Sequence, residues 1–173
     1  MKNLLILILL LCSIKSIAQT DTFEFKLIDS VNASKQDLYL KARQFISLQF
    51  KDSKEVIQMD DKDAGKIICK GIMEPTIKAG LGITVQSFVN FTITIDVKDG
   101  KYRCILNDFY HDGFVDHQSS TIGGNLNNDK PDCGWGMTNN NWRKVKEATK
   151  IDAADFLSDM KIEMSKSTKS DDF

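Results

Sequence analysis

Prolines are scarce in this chain, two in 173 residues, and histidines equally so. With so few prolines and only ten glycines, a collagen-like or long low-complexity chain is excluded. The two histidines, His111 and His117, leave little from which to build a Ser-His-Asp triad, and Gly134-Trp135-Gly136 lacks the serine of a nucleophile elbow. Close Cys-x-x-Cys steps are missing too, so the paired-cysteine type of zinc site is excluded. There is no basic stripe of the kind that neutralises phosphates, which argues against nucleic acid as a partner.

What is present fits one globular domain: 42% hydrophobic and 27% charged residues, enough for a sizeable core. The first eighteen residues stand apart. Lys2 gives a basic start, Leu4 to Leu11 an apolar run, and Ser16 and Ala18 supply the small residues a signal peptidase reads, so residues 1–18 are predicted to be an export signal cleaved after Ala18. A membrane span needs roughly 18 apolar residues, and Lys15 interrupts the run before that. A lipid anchor on Cys12 wants a small residue before it, where Leu11 stands. Loss of the leader takes away Lys2 and Lys15 and leaves 21 basic against 24 acidic residues, a mature charge of −3. The expected location is periplasmic or secreted, in a chain that does not span a membrane. Cys69, Cys104 and Cys133 remain, an odd number that cannot all pair within one chain, and they read as buried free thiols, with Cys69 and Cys104 unbridged.

The strongest local pattern is VQSFVNFTITIDVKDGKYRCILNDFYH. Val85, Ser87, Val89, Phe91, Ile93, Ile95 and Val97 alternate with more polar neighbours, the period-two pattern of a half-buried strand, and Asp99-Gly100 supplies a hairpin turn. That turn predicts Lys98 opposite Lys101, Val97 opposite Tyr102, Asp96 opposite Arg103, Ile95 opposite Cys104 and Ile93 opposite Leu106. Phe23 to Asp29 reads as a strand. Ser34 and Asp37 open a helix whose face carries Leu38, Ala42, Phe45, Ile46 and Gln49. KEVIQMD reads as a short strand, and Trp142, Val145, Thr149, Phe156, Met160 and Met164 mark a long helix ending near Ser165.

The Gly65-Lys66 step invites a phosphate-loop reading and fails it. Asp60 stands where the loop needs its first glycine, and Ile67 where it needs Ser or Thr. Gly65 is instead predicted to supply a positive φ in a hairpin bend, with Lys66 and Lys70 on one solvated strand face. No cofactor is expected.

The order strand, helix, four strands, helix, together with S-K-x-V-I-Q-x-x-D-K-x-A-G-K-I (Ser53 to Ile67), resembles a family of short exported bacterial proteins known as a domain of unknown function with a TBP-like fold. The resemblance covers residues 23 to 110 and extends more weakly to W-x-x-V-K at Trp142. It implies an α+β fold, β-α-β(4)-α, a curved antiparallel sheet with two helices on one face. It implies neither DNA binding nor catalytic residues, because fold does not fix function. The expected organisation is a leader at 1–18 and one domain at 19–165: a core at 23–111, a Gly/Asn-rich loop at 112–141 and a helix at 142–165. A flexible tail follows at 166–173.

Three candidate sites emerge. His111, Asp112, Asp116 and His117 cluster where the last strand runs out, as metal ligands or as a solvated polar loop. Trp135, flanked by glycines in a long loop, is either a contact residue or a cap on the core. With the helices covering Val89, Phe91, Ile93 and Ile95, the strand period places Phe88, Ile105 and Phe109 on the open side of the sheet near Arg103, where something must cover them: the long loop, an envelope protein or an apolar ligand. The sequence therefore favours an exported, non-catalytic binding module of the cell envelope, with a small metal-dependent or hydrolytic enzyme as the alternative.

Overall fold

The computed structural model of the chain describes residues 22–78, 80–114, 122–132 and 137–166. In order they form β1 (Phe25–Ser30), α1 (Lys35–Gln49), α2 (Ser53–Val56), β2 (Ile57–Asp61), β3 (Lys66–Met73), β4 (Thr76–Lys78), β5 (Thr84–Lys98), β6 (Lys101–Phe114), β7 (Gly124–Asn125) and α3 (Asn139–Ser165). The strands make one antiparallel sheet ordered β1-β6-β5-β3-β2, with β4 added to β5 and β7 to β6. The expected α+β architecture is present, enlarged by the short β4, β7 and α2. The predicted boundaries shift at several places, the last helix for one starting at Asn139 rather than 142. KEVIQMD opens as the helical turn α2 before its strand, β1 starts at Phe25, and β6 runs to Phe114 inside the stretch expected to be loop.

Local chemistry sets the helix ends. Ser34 caps α1, its Oγ accepting from Asp37 N at 3.1 Å, and Asp99 in the hairpin turn accepts from Lys35 N at 2.7 Å. Thr138 caps α3 in the same way, accepting from Asn141 N at 3.1 Å. Leu38, Tyr39, Ala42, Phe45 and Ile46 on α1 and Trp142, Val145, Thr149, Ala153, Phe156, Met160 and Met164 on α3 are buried, so both helices press their apolar stripes onto one face of the sheet. Lys41 is buried with them, its ammonium donating to the carbonyls of Met164 and Lys166 that α3 leaves open at its C-terminus.

The β5–β6 hairpin has the predicted register through Ile93–Leu106, and the pattern then breaks. Asn90 pairs with Tyr110 but Thr92 with Asn107, so β6 carries an extra residue, and Asp108 holds the left-handed conformation at φ 55°. The bulge reverses the facing of the residues from Phe109 to Asp112, and a second extra residue before Gly113 resets it for Phe114, which pairs with Ser87. Phe109 is therefore not on the open side but in the core, 0% exposed, its ring stacked on Phe91 (centroids 5.5 Å apart, planes at 9°) and met edge-on by Phe23 and Phe25.

Cys69 and Cys104 are buried and free. Cys69 pairs with Ile93 and Cys104 with Ile95, so they flank β5 on the core face, separated by two strand spacings, roughly 9–10 Å, across the sheet and by two residues along it, too far for a disulfide. Burial pushes the Cys69 thiol up to about 12 and raises Cys104 as well. Cys133, the leader and residues 167–173 lie outside the described residues.

Gly65 closes the β2–β3 turn at φ +70°, and Val97 N donates to its carbonyl at 2.8 Å. A Cβ there would stand 2.6 Å from the Val97 carbonyl oxygen, a backbone atom that cannot swing away. Gly65→Ala should lower the unfolding free energy by about 2 kcal/mol, the left-handed penalty plus the displacement of β5, read as a drop in the urea midpoint at unchanged slope.

Candidate functional site

Both main helices lie on one side of the sheet, and no described element lies over the other. Strand pairing aligns its residues in rows. One row runs Lys26, Ile105, Thr94, Ile68, Met59 across all five main strands. The next runs Ile28, Arg103, Asp96, Lys66, Asp61. The first row is apolar at Ile105, Ile68 and Met59, with Thr94 between them. The second alternates in sign from Arg103 onward.

Asp96 holds the charged row together. Arg103 donates from Nη2 (2.7 Å) and Nε (3.1 Å) to its Oδ2, and Lys66 Nζ lies 3.4 Å from Oδ1. These groups are 29–44% exposed, so each pair contributes only a few tenths of a kcal/mol to about 1 kcal/mol. Their consequence is positional: both cations are fixed beside the apolar row. Beyond them, Ile28, Asp96, Lys98, Lys101 and Arg103 border a half-open cavity of about 350 Å³ at the hairpin end of the face. Ile28 is 49% exposed, Ile72 54% and Met59 40%, an unusual concentration of large apolar side chains on one sheet surface.

The sequence-predicted site residues scatter. Arg103 and Ile105 sit together on this face. Phe88 shares the face but is half-buried and six residues up β5 from Thr94, roughly 20 Å from Ile105. Phe109 is in the core, and Trp135 lies outside the described residues. Ile68, Ile72 and Met59 were missed, although the alternation Lys66-x-Ile68-x-Lys70-x-Ile72 places both isoleucines on the lysine face already assigned to solvent.

The metal candidates do not converge. His111 is no loop residue: the bulge at Asp108 carries it to the core face of β6, where it is fully buried against Trp142 and Phe114. Its Nδ1 accepts from Gly123 N at 2.9 Å, which leaves the ring proton on Nε2, without a partner among the described residues. Burial pushes its pKa down to about 4, against the upward pull of Asp112. Asp112 is on the opposite face, accepting from Asn90 Nδ2 at 3.4 Å. Asp116 and His117 lie outside the described residues. Among the described residues no three His, Cys, Asp or Glu side chains gather as a metal site, and no helix is long and apolar enough to cross a membrane.

Among curated proteins none matches the chain. The solved structures that resemble it include the following two. One is a DUF4468 family protein from Bacteroides ovatus, at 16% identity and TM-score 0.63, with 85% of this chain and 88% of that one covered. The other is a TBP-like protein from Parabacteroides distasonis, at 10% identity and TM-score 0.62, with 82% and 91% covered. Identities this low establish the shared fold alone. Residues 25–112, from the first strand nearly to the end of β6, match the family description itself, and the chain belongs to DUF4468, the domain of unknown function with TBP-like fold.

Proposed function

We propose that this chain is a non-catalytic binding module of the cell envelope, exported by its first eighteen residues, and that it docks a protein partner on the open face of its sheet. The observation that supports this reading most is the row Ile105–Thr94–Ile68–Met59 beside the charged row Arg103–Asp96–Lys66–Asp61, with Met59 and Arg103 exposed and the others half-buried among the described residues. An apolar strip bordered by charges fixed in alternating sign is the composition of a protein interface, where the strip supplies affinity and the charges select register. A small ligand would call for a deep, mostly apolar pocket. The face instead spreads over five strands, roughly 20 Å, and the cavity at its hairpin end is half-open, lined by the charged Asp96, Lys98, Lys101 and Arg103 together with Ile28, Val97 and Tyr102.

Site-specific photo-crosslinking in the cells that produce the protein tests the reading. A crosslinker at Ile105 should give one adduct of defined mass. The same group at Leu48, 68% exposed on the helical side, should give none. Equal adducts from both positions, or none from Ile105, would remove the open face as the docking surface.

A further inference from the structure

The connection between β4 and β5 ends in an apolar point. Leu81 is fully exposed, Ile83 is 58% exposed, and Leu81 is held at φ 58°, a left-handed conformation unfavourable to a branched apolar side chain. Gly82 follows at φ +75°, and nothing lies within 4 Å of where its Cβ would be, so this part of the tip stands clear of the fold. At the base of the tip are cations. Lys78 ends β4, and Arg143 and Lys144 lie in the first turns of α3, with Lys144 Nζ donating to the Lys78 carbonyl at 2.5 Å and so tying the helix to the hairpin. The neighbouring carboxylate, Glu147, is engaged by Lys150 Nζ at 2.8 Å.

We infer that this tip docks the protein on an anionic lipid surface, with Leu81 and Ile83 entering the headgroup boundary and Lys78, Arg143 and Lys144 facing lipid phosphates. Two projecting side chains offer far less than the roughly 800 Å² per partner of a stable protein interface. A convex apolar point with basic residues behind it does match a fluid, negatively charged interface, which needs no shape complementarity. The site is separate from the open-face patch, since Thr84 at the base of the tip lies roughly 30 Å along β5 from Thr94. Neither depends on the other.

The test is co-sedimentation of the purified protein, in the N-terminal form its own cells produce, with vesicles of phosphatidylcholine alone and of phosphatidylcholine mixed with phosphatidylglycerol. Binding should be at least about tenfold stronger to the mixed vesicles and weaken with salt. Leu81→Asp with Ile83→Asp should lower the partition coefficient at least about tenfold, and Arg143→Glu about fivefold or more. Leu81→Gly, which relieves the left-handed strain and keeps the turn, should also lose binding while melting no lower than wild type, separating loss of contact from loss of fold. Failure of the wild type to bind mixed vesicles, equal binding to neutral ones, or full binding by the Asp pair would overturn the inference.

Discussion

Phe109→Ala should lower the unfolding free energy by about 3–5 kcal/mol, the range for emptying a buried aromatic site, while Phe88→Ala should cost about 1 kcal/mol. The contrast follows from the bulge at Asp108. Phe109 fills a space closed by Phe91 on one side and by the edges of Phe23 and Phe25, and those rings, from β5 and from the start of β1, cannot collapse together without moving β1 against β6. Phe88 keeps part of its ring in water and gives up less apolar burial. Urea unfolding of both variants beside wild type checks this. Similar losses at the two positions would mean that both rings share one face, as the unbroken strand period would have it, and that the bulge is absent.

Acidification should produce the second large effect. Unfolded, the His111 imidazole takes up its proton near 6.5; folded, buried against Trp142 and Phe114, it does so only near 4. The unfolded chain therefore binds more protons between these values. The contribution is fully present above pH 6.5 and is lost progressively as the pH falls toward 4, up to about 3 kcal/mol in all. Protonation also ends the acceptance by Nδ1 of the Gly123 N–H, which holds the chain after β6 against the sheet. His111→Asn keeps an acceptor in the place of Nδ1 and has nothing to titrate, so its urea midpoint should change much less than that of wild type between about pH 7 and about pH 4.5. Parallel curves for the two proteins would show that carboxylates, and not this imidazole, govern the acid limb.

Wherever a short-range signal and the sheet agreed, the sequence was enough. Asp99-Gly100 set the β5–β6 register as far as Ile93–Leu106, Ser34 began α1, Gly65 closed the β2–β3 turn, and the apolar stripe of α3 was legible from Trp142 to Met164. Each rests on a few neighbouring residues whose backbone or side-chain preferences act locally. The family motif from Ser53 to Ile67 belongs here as well, since it surrounds one such turn. Tertiary structure decided the rest. Nothing between Leu106 and Tyr110 announces an inserted residue. Asp108 accepts a left-handed backbone because doing so brings Phe109 onto Phe91 and His111 under Trp142, and those partners are brought there by strand pairing and helix docking from elsewhere in the chain. The open face is a collective property for the same reason. Ile68, Ile105 and Met59 belong to three strands that are neighbours only in the order β6-β5-β3-β2, so no single segment could show that they form a row.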